Sequence, residues 1–67
     1  MAVALTKREH EILELIASEL TTEQIAQNLN ISIPTVESHR RNMFRKLGVQ
    51  SVVGLMKEAL KNNWIKI

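Results

Sequence analysis

Apolar residues recur at helical spacing in four stretches, and each stretch opens on a residue that can cap a helix. Ile12, Leu13, Ile16, Ala17 and Leu20 form the first stripe, with the i, i+3, i+4 spacing of one helix face. Thr6-Lys7-Arg8-Glu9 precedes it as a capping box, in which the Thr hydroxyl accepts from the Glu9 backbone and the carboxylate reaches back. Thr21-Thr22-Glu23-Gln24 is a second box, followed by Ile25, Ala26 and Leu29. That stretch is too short to be stable alone and must be held by packing. Asn30 can then take the left-handed turn that ends a helix. Ser32 caps a third stretch, with Pro34 tolerated in its first turn and Val36, Met43, Phe44 and Leu47 facing inward. Gly48 suits its end. Val52, Leu55, Met56 and Ala59 give the fourth stripe, with Val53 and Leu60 on its shoulder. Asn63 suits a left-handed position, and Trp64 with Ile65 folds back as a cover. The pattern predicts an all-α domain, 1–67, with helices over about 7–19, 22–29, 33–47 and 52–62.

The second and third stretches carry the most specific signal. Ile25-Ala26, Leu29, a turn at Asn30-Ile31-Ser32 and then Val36 reproduce a helix-turn-helix. Ala26 falls where the helices cross and must be small, while Ile25, Leu29, Ile31 and Val36 fill the wedge between them. With 100° per residue from Val36, the residues Glu37, Ser38, Arg41, Asn42 and Arg45 fall between about 100° and 240°. That polar face fits a recognition helix in a major groove. Arg is the usual reader of guanine, Asn of adenine, and Glu can accept from cytosine. Thr22 and Thr35 can hold phosphates through hydroxyls near helix N-termini. Arg45 and Lys46 lie at the far end of the third helix, suited to phosphates or to the negative end of its dipole.

Charge strengthens this reading once it is divided. The net +2 over 67 residues is a remainder. Residues 1–37 hold Lys7 and Arg8 against six Glu, a net −4, whereas residues 38–67 hold seven basic residues against Glu58, a net +6. A basic half in a small domain points to an anionic partner, nucleic acid first. Base-stacking platforms are disfavoured, since Phe44 and Trp64 are the whole aromatic complement. There is no Cys, so neither a disulfide framework nor a thiolate zinc site can form. There is no Asp, so a Ser-His-Asp triad is excluded. His10 and Glu14 are four apart, but H-E-x-x-H is absent. No metal, cofactor or enzymatic activity is expected, and the Glu residues are expected on an exposed face. No apolar run of about 18 residues offers a membrane span, and no signal peptide is visible. A cytoplasmic setting is the expectation.

From Leu5 to about Ile65 the chain resembles the LuxR/FixJ-type helix-turn-helix domain of bacterial transcription regulators. The likeness lies in Leu5-Thr6-Lys7-Arg8-Glu9 with Ile12-Leu13, then Glu23-Gln24-Ile25-Ala26 with Leu29 and Ile31-Ser32. It continues in Thr35-Val36-Glu37-Ser38-His39, Asn42-Met43 and Lys46-Leu47-Gly48-Val49. The resemblance implies a four-helix domain that binds double-stranded DNA as a homodimer, with the third helix as reader and the fourth as the dimer contact. Glu37, Ser38 and Arg41 would touch base edges. Thr35, Asn42 and Lys46 would lie near the DNA backbone, and the residue chemistry by itself adds Thr22, Arg40 and Arg45 as backbone contacts. His39 matches a packing residue of the family. RNA polymerase is a further partner that the resemblance implies. Such domains often follow a receiver or ligand-binding domain, and a start almost directly on the first helix fits a segment of a longer regulator.

The chain departs from the family pattern in several places. Glu19 and Asn63 stand where Gly is usual, and Val52 where Arg is frequent. Glu37 replaces a frequent Lys and suits a base reader, or a partner orienting Arg41 at i+4, better than a phosphate contact. Arg40 projects at about 40°, close to the core side, so its stem can pack while its head reaches for phosphate. The fourth helix carries an apolar arc of roughly 160°, wider than a small core needs. Val53, Gly54, Lys57 and Leu60 form the expected self-association patch, with Gly54 in mid-helix suited to close approach of a partner helix. Two other readings compete: a sigma-factor-like promoter-reading module, and a protein-interaction helical bundle without DNA binding.

Overall fold

A computed structural model describes residues 4–65. It contains four helices in chain order: α1 Lys7–Ala17, α2 Thr22–Leu29, α3 Ile33–Leu47 and α4 Val52–Lys61. Each begins at a hydroxyl cap. Thr6 Oγ1 accepts from the Glu9 amide at 3.1 Å, and the Thr6 amide donates to Glu9 Oε1 at 2.8 Å. Thr21 and Gln24 repeat that reciprocal box. Ser32 accepts from the Thr35 amide at 3.3 Å and Ser51 from the Gly54 amide at 3.1 Å. These bonds satisfy N–H groups that have no partner inside the helix.

All four helices also end alike. A residue in the left-handed region follows each one: Glu19 (φ 65), Asn30 (φ 57), Gly48 (φ 65) and Asn63 (φ 58). The next amide in each case donates back five residues: Leu20 to Leu15, Ile31 to Ala26, Val49 to Phe44 and Trp64 to Ala59. This is the Schellman closure, and its usual apolar companion is present. Leu20, Ile31, Val49 and Trp64 are half-buried against the core. Glu19 therefore keeps the turn that Gly would make, at the cost of left-handed backbone. That is why α1 stops at Ala17 rather than near residue 19. α4 likewise stops at Lys61, one residue before the expected end.

The core is shared by all four helices. Ile12, Leu13, Ile25, Val36, Met43, Leu55 and Ala59 have no solvent exposure, and Leu5, Ile16 and Ala26 join them. Val36 and Met43 thus hold the inner face of α3 while α1, α2 and α4 support it. No helix among the described residues is long and apolar enough to cross a membrane.

Candidate nucleic-acid interface

Because Val36 and Met43 are buried, the opposite face of α3 is turned outward. Glu37, Ser38, Arg41 and Arg45 are all exposed there. Glu37 and Arg41 share one face at i+4, but no ion pair joins them, so both head groups are open to a ligand. Asn42 is half-buried at the border of the face, and its Oδ1 accepts from Arg45 Nη2 at 2.8 Å. Thr35 is exposed in the first turn, its hydroxyl 2.7 Å from that of Ser32.

Arg40 connects α3 to α2. Its guanidinium donates to Thr22 Oγ1 at 2.9 Å and lies 5.8 Å from the centre of the Phe44 ring. A cation over an aromatic face is held by the ring's quadrupole. The stem packs as expected, and the head is fixed at the start of α2. Thr22 and Arg40 therefore present one joint polar point, not two separate ones.

Lys46 has a different environment. Its Nζ lies 2.7 Å from Glu9 Oε1, and the Glu9 side chain is only 3% exposed. The expectation that the Glu residues all lie on an exposed face fails here: Glu9 is buried. Its burial is tolerable because the carboxylate is paired and hydrogen-bonded. Burial pushes the Glu9 carboxyl up, but the Lys46 ammonium and the Thr6 amide outweigh it and hold the group below its ordinary value. Sequence reasoning found the capping box and missed the ion pair. Glu9 recurs three residues before Ile12, inside the buried stripe, and that was the available signal.

On α4, Val53 is 65% exposed and Leu60 38%, and Lys57 is exposed between them. Gly54 lies in the first turn and not in mid-helix. A Cβ there would meet Val49 Cβ at 3.2 Å, so the chain itself supplies a reason for glycine. Val52, where the resembling family often has Arg, is 41% exposed.

This arrangement is shared with known proteins. Residues 3–59 match the family described as bacterial regulatory proteins, luxR family. The chain belongs to the luxR family. Members are DNA-binding helix-turn-helix domains of transcription regulation. The chain is 51% identical over 57 residues to the response regulatory protein YgeK of Escherichia coli, covering 85% of this chain and 39% of YgeK. It is 42% identical over 62 residues to the oxygen regulatory protein NreC of Staphylococcus aureus, covering 92% of this chain and 29% of NreC. The chain thus spans well under half the length of these relatives. Among solved structures, the transcription factor GerE superposes with a TM-score of 0.88 at 33% identity, over 98% of this chain and 97% of GerE. The response regulator ChrA of a heme-sensing two-component system also reaches 0.88 at 34% identity, over 97% of this chain and 32% of ChrA. The sequence-based likeness to this family therefore holds, and so does the all-α helix-turn-helix fold.

Proposed function

We propose that the domain reads double-stranded DNA with α3 in the major groove, as the output part of a longer response regulator. Glu37, Ser38 and Arg41 face base edges. Thr22 with Arg40, Thr35, Asn42 and Arg45 flank them and hold the backbone. A homodimer formed through α4, at Val53, Gly54, Lys57 and Leu60, spaces two readers on paired half-sites. RNA polymerase is a fitting partner for the whole regulator, and the cytoplasm its setting.

One observation carries the reading: the face of α3 opposite a fully buried Val36 and Met43 is exposed and unpaired at Glu37 and Arg41. Base edges in a groove need such free donors and acceptors. The test is selection of bound duplexes from a random pool, followed by Arg41→Ala. The variant is expected to lose about 1–3 kcal/mol on the selected site and to relax discrimination at one base step. Equal loss on random DNA would reduce Arg41 to a phosphate contact. A folded domain that binds no duplex at low salt would remove the reading altogether.

A further inference from the structure

The geometry points to Lys46 as a latch that seats the reader helix on α1, and not as a phosphate contact, with Glu9 as the residue that positions it. Three observations support this. First, the Lys46 ammonium is 2.7 Å from a carboxylate that is almost wholly buried. The same Oε1 accepts from the Thr6 amide, so Glu9 is anchored at the start of α1 and cannot follow Lys46 outward. Second, Lys46 falls at about 280° on the α3 wheel counted from Val36, on the α1 side and outside the arc of Glu37, Arg41 and Arg45. Third, a phosphate that drew Lys46 away would leave the Glu9 charge buried without its cation, and would itself approach a carboxylate. Both effects oppose the contact.

The pair joins residues 37 apart in sequence. It ties the last turn of α3 to the first turn of α1, while Arg40 and Thr22 tie the middle of α3 to α2. The reader helix is thus fixed at two points by polar bonds, in addition to its apolar face. The Lys46 side chain is 36% exposed, but its charge is neutralised by Glu9 and contributes little to the field at the DNA face. Arg45 one residue earlier, which has no acidic partner among the described residues, contributes fully.

The binding arm of the test rests on the DNA reading above; the stability arm does not. Glu9→Gln, Lys46→Met and the double variant are compared with the parent by urea unfolding. Lys46→Met is expected to lower the unfolding midpoint, and adding Glu9→Gln to restore much of the loss, because no buried charge is then left alone. Lys46→Arg, which can keep the pair, is expected to stay near the parent. Additive effects of the two single variants would overturn the latch. On DNA, the slope of log affinity against log salt is expected to fall by about 1 for Arg45→Ala and to stay at the parent value for the Glu9→Gln/Lys46→Met variant. A fall of about 1 in the double variant, as one lost phosphate contact gives, would overturn the proposal too. If the parent bound no duplex, the DNA reading would fail and the unfolding cycle would still decide the latch.

Discussion

α3 and α4 bury their inner faces equally well and differ in what their outer faces hold. Val36 and Met43 on α3, like Leu55 and Ala59 on α4, have no exposure at all. Outward, α3 offers Glu37, Ser38, Arg41 and Arg45, and it is tied to its neighbours by Arg40–Thr22 and Lys46–Glu9. α4 offers Val52, Val53 and Leu60 instead, and among the described residues no side-chain hydrogen bond or ion pair ties it to another helix. Charge and free donors suit contact with phosphate and base edges, where water is partly retained. Exposed apolar side chains gain nothing there and are best covered by another apolar surface. The two helices are therefore equal partners in the core and unequal at the surface, as the roles proposed above for α3 and α4 require.

The largest effects should test the equal half of this comparison. Met43→Ala and Leu55→Ala each delete a side chain with no exposure, one from each helix. Each is expected to cost about 2–5 kcal/mol, which is most of what a domain of this size possesses. Thermal melting followed by circular dichroism would measure both. A full loss for Met43→Ala with almost none for Leu55→Ala would mean that α4 does not share the core in solution.

A smaller effect is expected at the helix ends, which also show what the sequence makes legible. Asn30, Gly48 and Asn63 occupy left-handed positions that their residue types favour, so those ends can be read locally. Glu19 occupies the same kind of position against its own preference, because the Leu20 amide still closes onto Leu15 and Leu20 still packs on the core. The tertiary contact outweighs the local cost, and the 7–19 range expected for the first helix missed it. Glu19→Gly should accordingly stabilise the domain by about 1 kcal/mol, read as a rise in melting temperature, and Asn63→Gly by less. A loss at Glu19→Gly would mean that the turn is not strained.

The same distinction between local and distant causes runs through the candidate interface. The polar arc of α3 follows from Val36 and a 100° step, and the caps follow from four-residue windows. Arg40–Thr22 and Lys46–Glu9 join residues 18 and 37 apart, and nothing in a helical period announces them. Glu9 was legible as a cap, and its place three residues before Ile12 hinted at burial, but its partner Lys46 was illegible for this reason. Gly54 shows the opposite error: mid-helix placement invited a partner helix as its explanation, while Val49, five residues before it, supplies a contact within the chain.

The smallest effect on the fold, and the sharpest on the comparison, belongs to the outer face of α4. Leu60→Glu replaces a side chain that is 38% exposed, so the isolated domain should change in stability by no more than about 0.5 kcal/mol. If α4 is a contact between copies, the same substitution places a carboxylate in an apolar interface. Self-association measured by sedimentation at high protein concentration should then fall, and affinity for paired half-sites should fall with it, while affinity for a single half-site stays near the parent. Val53→Glu, at the most exposed apolar position of the helix, should act in the same direction. Unchanged mass in the parent and both variants, with equal binding to paired and single half-sites, would show that the apolar outer face of α4 serves something other than a second copy of this chain. The polar face of α3, and the reading role proposed for it, would be untouched by that result, because its polar ties run to α1 and α2 through Glu9 and Thr22 and not to α4's outer surface.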